Sequence, residues 1–255
     1  MQQSQTNQWD YLSSGYREKI LTPFANKGTT DFFFSLLTPE DLSGKIIDAG
    51  CGNGYFVQEL LLRKTLEFKP VCLDLSQQML ASAASVIGNS AYMIRAELNA
   101  LPFLDSSFDR AFAINSILSD KRFTREKSMS ELYRVLSPKG KLFLLLPALE
   151  NYLEQLHIIR EQFVTDGLDE QQAIWSVYDL INERFFDPIG GYVNILGSSL
   201  RIKLYTHSEI ELILRNSGFY QFEIKKYTYS YEHCAQAGLA CNQNGLFDWF
   251  IVAQR

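Results

Sequence analysis

Between Gly44 and Pro147 the chain changes its period repeatedly. "GKIIDAG", "PVCLDL", "AYMIRAE", "FDRAFAI" and "KLFLLLP" are short apolar runs with little alternation, each the length of one strand. Between them stand "GYFVQELLLRKTL", "SQQMLASAASVI" and "REKSMSELYRVL", whose apolar residues fall at helical spacing. A strand that is apolar on both sides must be covered on both faces. The pattern therefore predicts an α/β fold with a doubly wound, mostly parallel sheet rather than a half-solvated meander.

The rest of the chain fits around that unit. "YQFEIKKYTYSYEH" and "GLFDWFIVAQR" read as two long closing strands, bringing the count to seven. "YTHSEIELILRNSGF" before them reads as a helix, with Thr206 and Glu209 as a capping box and Gly218 as its stop. After Pro147 the alternation lapses, and residues of about 148–203 form an insertion. "ENYLEQLHIIREQF" and "LDEQQAIWSVYDLINERFF" are its two amphipathic helices, and "FDPIGGY" turns the chain. Two short helices, roughly 8–20 and 30–37, are expected within residues 1–43. With 255 residues, 46% of them hydrophobic, one core suffices, so residues 1–255 read as a single domain with an N-terminal cap and an insertion.

Charge and cysteine content narrow the function. The net charge is −5, and no basic stripe of the kind a nucleic-acid reader needs is visible. The densest basic group, Lys121, Arg122, Arg125 and Lys127, reads as a solvated helix face. The four cysteines match no zinc spacing, so no metal is expected. Cys51 and Cys72 read as small buried hydrophobes, and Cys234 and Cys241 lie in a polar loop. The polar N-terminus lacks the order of a signal peptide, and "LFLLLPAL" is too short to span a bilayer. The expectation is a soluble cytoplasmic protein with no membrane partner.

The chemistry concentrates in "IIDAGCGNGYF". Gly50, Gly52 and Gly54 make a tight turn at the carboxyl end of the first strand, where a ligand can lie against bare backbone. The spacing is not that of the dinucleotide fingerprint, whose last glycine is replaced here by Tyr55. Asp48 would repel a pyrophosphate and suits a cationic group or a hydroxyl instead. Asp74 ends the second strand beside that turn, a position from which a carboxylate accepts hydrogen bonds from both hydroxyls of a ribose.

Four segments in order resemble the class I S-adenosylmethionine-dependent methyltransferases, in particular the small-molecule (type 11-like) branch. They are "IIDAGCGNG", "CLDLSQQML", "AELNALPFLDSSFDRAFAINSIL" and "YRVLSPKGKLFL", covering about residues 44–147. The resemblance implies a Rossmann-like methyltransferase fold with S-adenosylmethionine as cofactor and S-adenosylhomocysteine as product. It implies that Asp48 and the Gly50, Cys51, Gly52, Gly54 turn hold the methionine portion, and that Asp74 takes the ribose. Leu75 would pack on the adenine, Met79 would be a further cofactor-binding residue, and Glu97 and the backbone of Leu98 would bond the adenine. The family's usual Gly-Asp step is Ala96-Glu97 here. Asn115 would line the methionine end, and Tyr16 lies in an N-terminal helix that closes over the cofactor in similar enzymes.

The acceptor is approached by elimination. The fourth strand ends in "INSIL", not in an Asn-Pro-Pro-Tyr type of sequence, and no Pro-Cys nucleophile follows it. With the acidic charge this argues against DNA and against most RNA acceptors, and the resemblance implies a small molecule. In the resembling enzymes an insertion after the fifth strand builds a substrate lid. Here it carries Tyr152, Phe163, Trp175, Tyr178, Phe185, Phe186 and Tyr192, which suits an apolar or aromatic acceptor, with Trp175, Tyr178 and Tyr192 as substrate candidates. A general base is needed only for an acceptor that keeps its proton at neutral pH. His157, on the first insertion helix, is the candidate; His207 sits in a capping box and His233 in a loop. The alternatives are a non-catalytic S-adenosylmethionine-binding partner subunit and a nucleotide-cofactor enzyme on a Rossmann-like fold.

Overall fold

Strands apolar on both sides pair in the middle of this molecule, as their composition requires. A computed structural model describes residues 9–11, 13, 22–24, 26–183, 186–195, 199–229 and 246–255. Five parallel strands come first: β1 (Ile46–Ala49), β2 (Val71–Asp74), β3 (Tyr92–Arg95), β4 (Phe108–Ile114) and β5 (Leu136–Pro147). β6 (Tyr192–Asn194) and β7 (Arg201–Lys203) form a separate antiparallel hairpin. β8 (Gln221–Thr228) and β9 (Phe247–Gln254) close the main sheet, whose order is β3-β2-β1-β4-β5-β9-β8. β9 is antiparallel to both its neighbours, so β8 runs with the first five.

Alternate residues of each central strand face different cores. Ile47, Ala111, Ala113, Leu142, Leu144 and Ile251 pack to one side with Met129 and Leu132. Ile46, Phe112, Phe143, Leu145 and Phe250 pack to the other with Phe33, Phe56 and Leu60. On that second side the rings of Phe56, Phe112 and Phe143 form a column, with centroids 4.3 and 4.6 Å apart.

Among the described residues the helices that pack with these strands are α1 (Lys27–Ser35), α2 (Tyr55–Arg63), α3 (Gln77–Ile87), α4 (Arg122–Val135), α5 (Leu149–Thr165), α6 (Glu170–Glu183) and α7 (His207–Asn216). α1 starts earlier than expected because the Asn26 side chain caps it by accepting from Thr29 N–H. α7 carries the expected capping box between Thr206 and Glu209. The expected helix of about 8–20 falls largely outside the described residues, of which 9–11 are helical.

The sheet order reverses beside β1, which lies between β2 and β4. The carboxyl ends of β1, β2 and β4 thus meet at a topological switch point, where open α/β sheets bind ligands. The insertion leaves the sheet at this edge. Tyr205 N–H donates to Pro147 O, Lys203 N–H donates to Leu118 O, and Ser119 bridges to Ile202. The hairpin β6–β7 is an element the periodicity did not predict. Among the described residues no helix is long and apolar enough to cross a membrane.

Candidate cofactor and acceptor site

The glycine turn is tied to the neighbouring strand by its own backbone. Gly50 and Cys51 both donate N–H to Leu73 O, at 2.7 and 2.9 Å. Gly52 N–H donates to Asp74 Oδ2 at 2.9 Å, while Ser76 N–H donates to Oδ1 at 2.8 Å. Asp74 is thus fixed at the rim of the turn. Burial pushes its carboxyl up, and these backbone bonds pull it back toward the ionised form.

The glycines have different tasks. Gly52 has φ +51°, and a Cβ there would meet nothing within 4 Å, because the space belongs to a cavity. Gly54 has φ +78°, and its Cβ would strike Ile87 Cδ1 at 2.6 Å and Ala83 Cβ at 2.8 Å. Gly54 lets α2 close onto α3 and lines neither of the two cavities at the turn.

Those two cavities share Gly50, Gly52 and Asn115. The larger, about 450 Å³, runs past Asp74, Leu75, Met79, Glu97 and Leu98 to Ile117 and Arg125. The smaller, about 40 Å³, reaches Asp48, Cys51 and Asn53. Asp48 is 2% exposed, and its Oδ2 has no hydrogen-bond partner. Desolvation, with the nearby Asp74 charge as a second cause, pushes its carboxyl up to about 8. Asn53 Oδ1, Asn115 Oδ1 and Ser116 Oγ are likewise buried without partners. Four of the five such side-chain atoms among the described residues therefore surround one turn. Native folds rarely leave buried polar atoms unpaired, so this clustering is the mark of a ligand site. An acid and three neutral polar groups, beside a carboxylate for hydroxyls, fit the ammonium, carboxylate and ribose of S-adenosylmethionine.

The structure brings together Asp48, Gly50, Cys51, Gly52, Asp74, Leu75, Met79, Glu97, Leu98 and Asn115. Cys51 and Cys72 are both buried and free, and the Cys72 thiol together with burial pushes the Cys51 thiol up. Tyr16, His233, Cys234, Cys241 and Phe185 lie outside the described residues. His157 is not brought to the cavities. α5 packs inward through Leu149, Tyr152 and Leu156, and this leaves His157 exposed. Trp175 and Tyr178 are also elsewhere, at 62% and 53% exposure. α6 turns Ala173, Ser176, Val177, Leu180 and Ile181 inward, so both aromatics occupy its outer face, against each other at 5.8 Å. Tyr192 stands one residue behind the cavity wall, its hydroxyl accepting from Arg125 Nη2 at 3.4 Å.

Sequence reasoning missed Asn53, Ser116, Arg125 and Asp248. Asp248 is buried at the start of β9, where Tyr229 Oη donates to its Oδ2 at 2.8 Å. Burial pushes its carboxyl up to about 7, against bonds from Tyr229, the Ala148 backbone and the Asn115 side chain. The available signal was an acid inside the apolar run "LFDWFIV".

Comparisons with known proteins converge on the same segment. Residues 46–140 match the model of a family described as a methyltransferase domain. A malonyl-[acyl-carrier protein] O-methyltransferase of Erwinia billingiae is 33% identical over 139 residues, which is 53% of this chain and 45% of that protein. A ubiquinone/menaquinone biosynthesis C-methyltransferase of Geotalea daltonii is 28% identical over 111 residues, 40% of this chain and 45% of that protein. The match thus spans less than half the length of these curated relatives. A solved structure from Pyrococcus horikoshii superposes with a TM-score of 0.59 at 20% identity, covering 90% of this chain and 92% of that one. At that identity the likeness is one of fold.

Proposed function

We propose that this chain, which belongs to the class I S-adenosylmethionine-dependent methyltransferases and their small-molecule branch, transfers a methyl group from S-adenosylmethionine to a small molecule. The observation that carries the reading is the ring of unpaired buried polar atoms around the glycine turn, with Asp74 at its rim. The cofactor supplies a methyl group already activated by its sulfonium. The chain's own work is to bind, align and exclude water.

Asp48, with Asn53 and Asn115, takes the polar end of the cofactor in the smaller cavity. Asp74 accepts from the ribose hydroxyls, and Leu75, Met79, Leu98 and Glu97 hold the base in the larger one. Trp9 lines the larger cavity and packs, as Ile202 does, against the Ile195 and Leu200 cluster. The N-terminal segment and the hairpin thus meet beside the cavity, which supports a lid made from 1–43 and 148–203. An acceptor with an apolar or aromatic body suits the Trp9, Ile117 and Leu118 surface. Neither His157 nor His207 lies on this wall, so neither is placed to take a proton from the acceptor. The protein is proposed to act in the cytoplasm without a nucleic-acid or membrane partner.

The test is turnover. Purified protein is incubated with methyl-labelled S-adenosylmethionine and a panel of small alcohols, amines and acids, and labelled product and S-adenosylhomocysteine are followed together. Stoichiometric label transfer supports the reading. Tight cofactor binding without transfer to any acceptor would favour a non-catalytic binding subunit.

A further inference from the structure

The basic group on α4 is not the uniformly solvated face its sequence predicts. Arg125, on the first turn of α4, is 7% exposed. Its Nη1 donates to Ser119 O at 2.7 Å and its Nη2 to Tyr192 Oη at 3.4 Å, with the Tyr192 ring 5.7 Å away. Three other cations of this region have an acid partner. Arg122 lies 2.7 Å from Glu126, Lys203 lies 2.7 Å from Glu209, and Arg201 lies 3.3 Å from Asp187. Arg125 makes no such ion pair among the described residues. A buried guanidinium without a counter-ion is costly, and a fold keeps one only where something else offsets the cost.

Arg125 is a lining residue of the larger cavity, with exposed Lys121 on the same wall. The cavity is polarised: Asp74 and Glu97 come from the tips of β2 and β3, Lys121 and Arg125 from α4 and its approach. The basic end is also where the insertion joins, through the Ser119–Ile202 bridge and the Arg125–Tyr192 contact. A guanidinium carries five N–H donors, and the two bonds above leave others for a planar anion.

We infer that Arg125, assisted by Lys121, forms an anion subsite that takes a carboxylate or phosphate group carried by the methyl acceptor. This rests on the reading that the acceptor enters this cavity. The acceptor then has an apolar or aromatic body and one anionic group, and that group anchors it at the hairpin end of the cavity.

The experiment titrates the full chain with benzoate, phenyl phosphate and neutral benzamide, with and without saturating S-adenosylhomocysteine. One or both anions should bind at least about tenfold tighter than benzamide, and which one does so distinguishes carboxylate from phosphate. Arg125→Met should lose that preference by about tenfold while holding S-adenosylhomocysteine within about threefold of the parent. Should Arg125→Met not fold, exposed Lys121→Met decides, with an expected loss of about threefold for the anion alone. Benzamide binding as well as the anions, or a variant that keeps the preference, would overturn the subsite. Loss of S-adenosylhomocysteine binding in Arg125→Met would assign the guanidinium to the cofactor's own carboxylate and overturn it equally. Failure of the parent to bind S-adenosylhomocysteine counts against the methyltransferase reading instead, and the arm without it still judges the subsite.

Discussion

Asp48 concentrates the physics of the site in one carboxyl group. Held up to about 8 by burial, it stays largely protonated in the ligand-free fold near neutral pH, whereas the unfolded chain would ionise it near 3.8. Its contribution to stability is therefore full below about pH 4 and is lost as pH rises through about 8. Asp248, held up to about 7, acts in the same sense. Asp48→Asn should stabilise the ligand-free protein at pH 8.5 by roughly 1–3 kcal/mol relative to its effect at pH 5, and should weaken S-adenosylhomocysteine binding at least about tenfold. Urea midpoints at the two pH values and a calorimetric titration check both halves; an unchanged midpoint difference would remove Asp48 from the site. The glycines separate in a second comparison. Gly52→Ala places a methyl group in open cavity space, so it should lose ligand affinity with a stability cost of only about 1 kcal/mol. Gly54→Ala collides with Ile87 and Ala83, so it should cost roughly 1–3 kcal/mol of stability first. Thermal melts beside binding curves distinguish the two. The acids at strand ends were legible in the sequence because "IIDAG" and "VCLDL" place a charge where an apolar run stops. Arg125 was not, because basic residues at helical spacing look alike until a neighbouring element covers one of them.

At the scale of elements, the strands and helices of 44–147 were legible because their periods differ sharply. The capping box of α7 was legible because it is a local pattern of two residues. The hairpin β6–β7 was not: three residues per strand give no measurable alternation, and its pairing depends on contact with Leu118 and Ser119 far away in the chain. The aromatic residues of the insertion misled for a related reason. Composition alone pointed to Trp175 and Tyr178, while the inward face of α6 is fixed by Ala173, Val177, Leu180 and Ile181. If the insertion acts as a lid, its amides should respond to ligand. Hydrogen exchange at 192–195 and 199–205 should slow at least about threefold with S-adenosylhomocysteine and an anionic probe bound, while the outer turns of α6 stay unchanged. Equal exchange with and without ligand would leave the hairpin a static wall.

For the whole molecule, the sheet order explains why residues distant in sequence share one cleft. Reversal beside β1 places the ends of β1, β2 and β4 together, and β9 inserted antiparallel next to β5 brings Asp248 under Asn115. The parallel class of the sheet followed from its apolar strands. The placement of Asp248 depends on the final strand entering between β5 and β8, which no local pattern records. Isothermal titration with S-adenosylhomocysteine, NAD and NADP decides whether this cleft is built for S-adenosylmethionine. Saturable binding of S-adenosylhomocysteine at one site per chain is expected, with no detectable binding of either dinucleotide. Folded Asp74→Ala should lose at least about tenfold in affinity, since the acceptor for two hydroxyls is removed. Absence of S-adenosylhomocysteine binding, tighter binding of a dinucleotide, or unchanged affinity in folded Asp74→Ala would overturn the assignment of this cleft to S-adenosylmethionine.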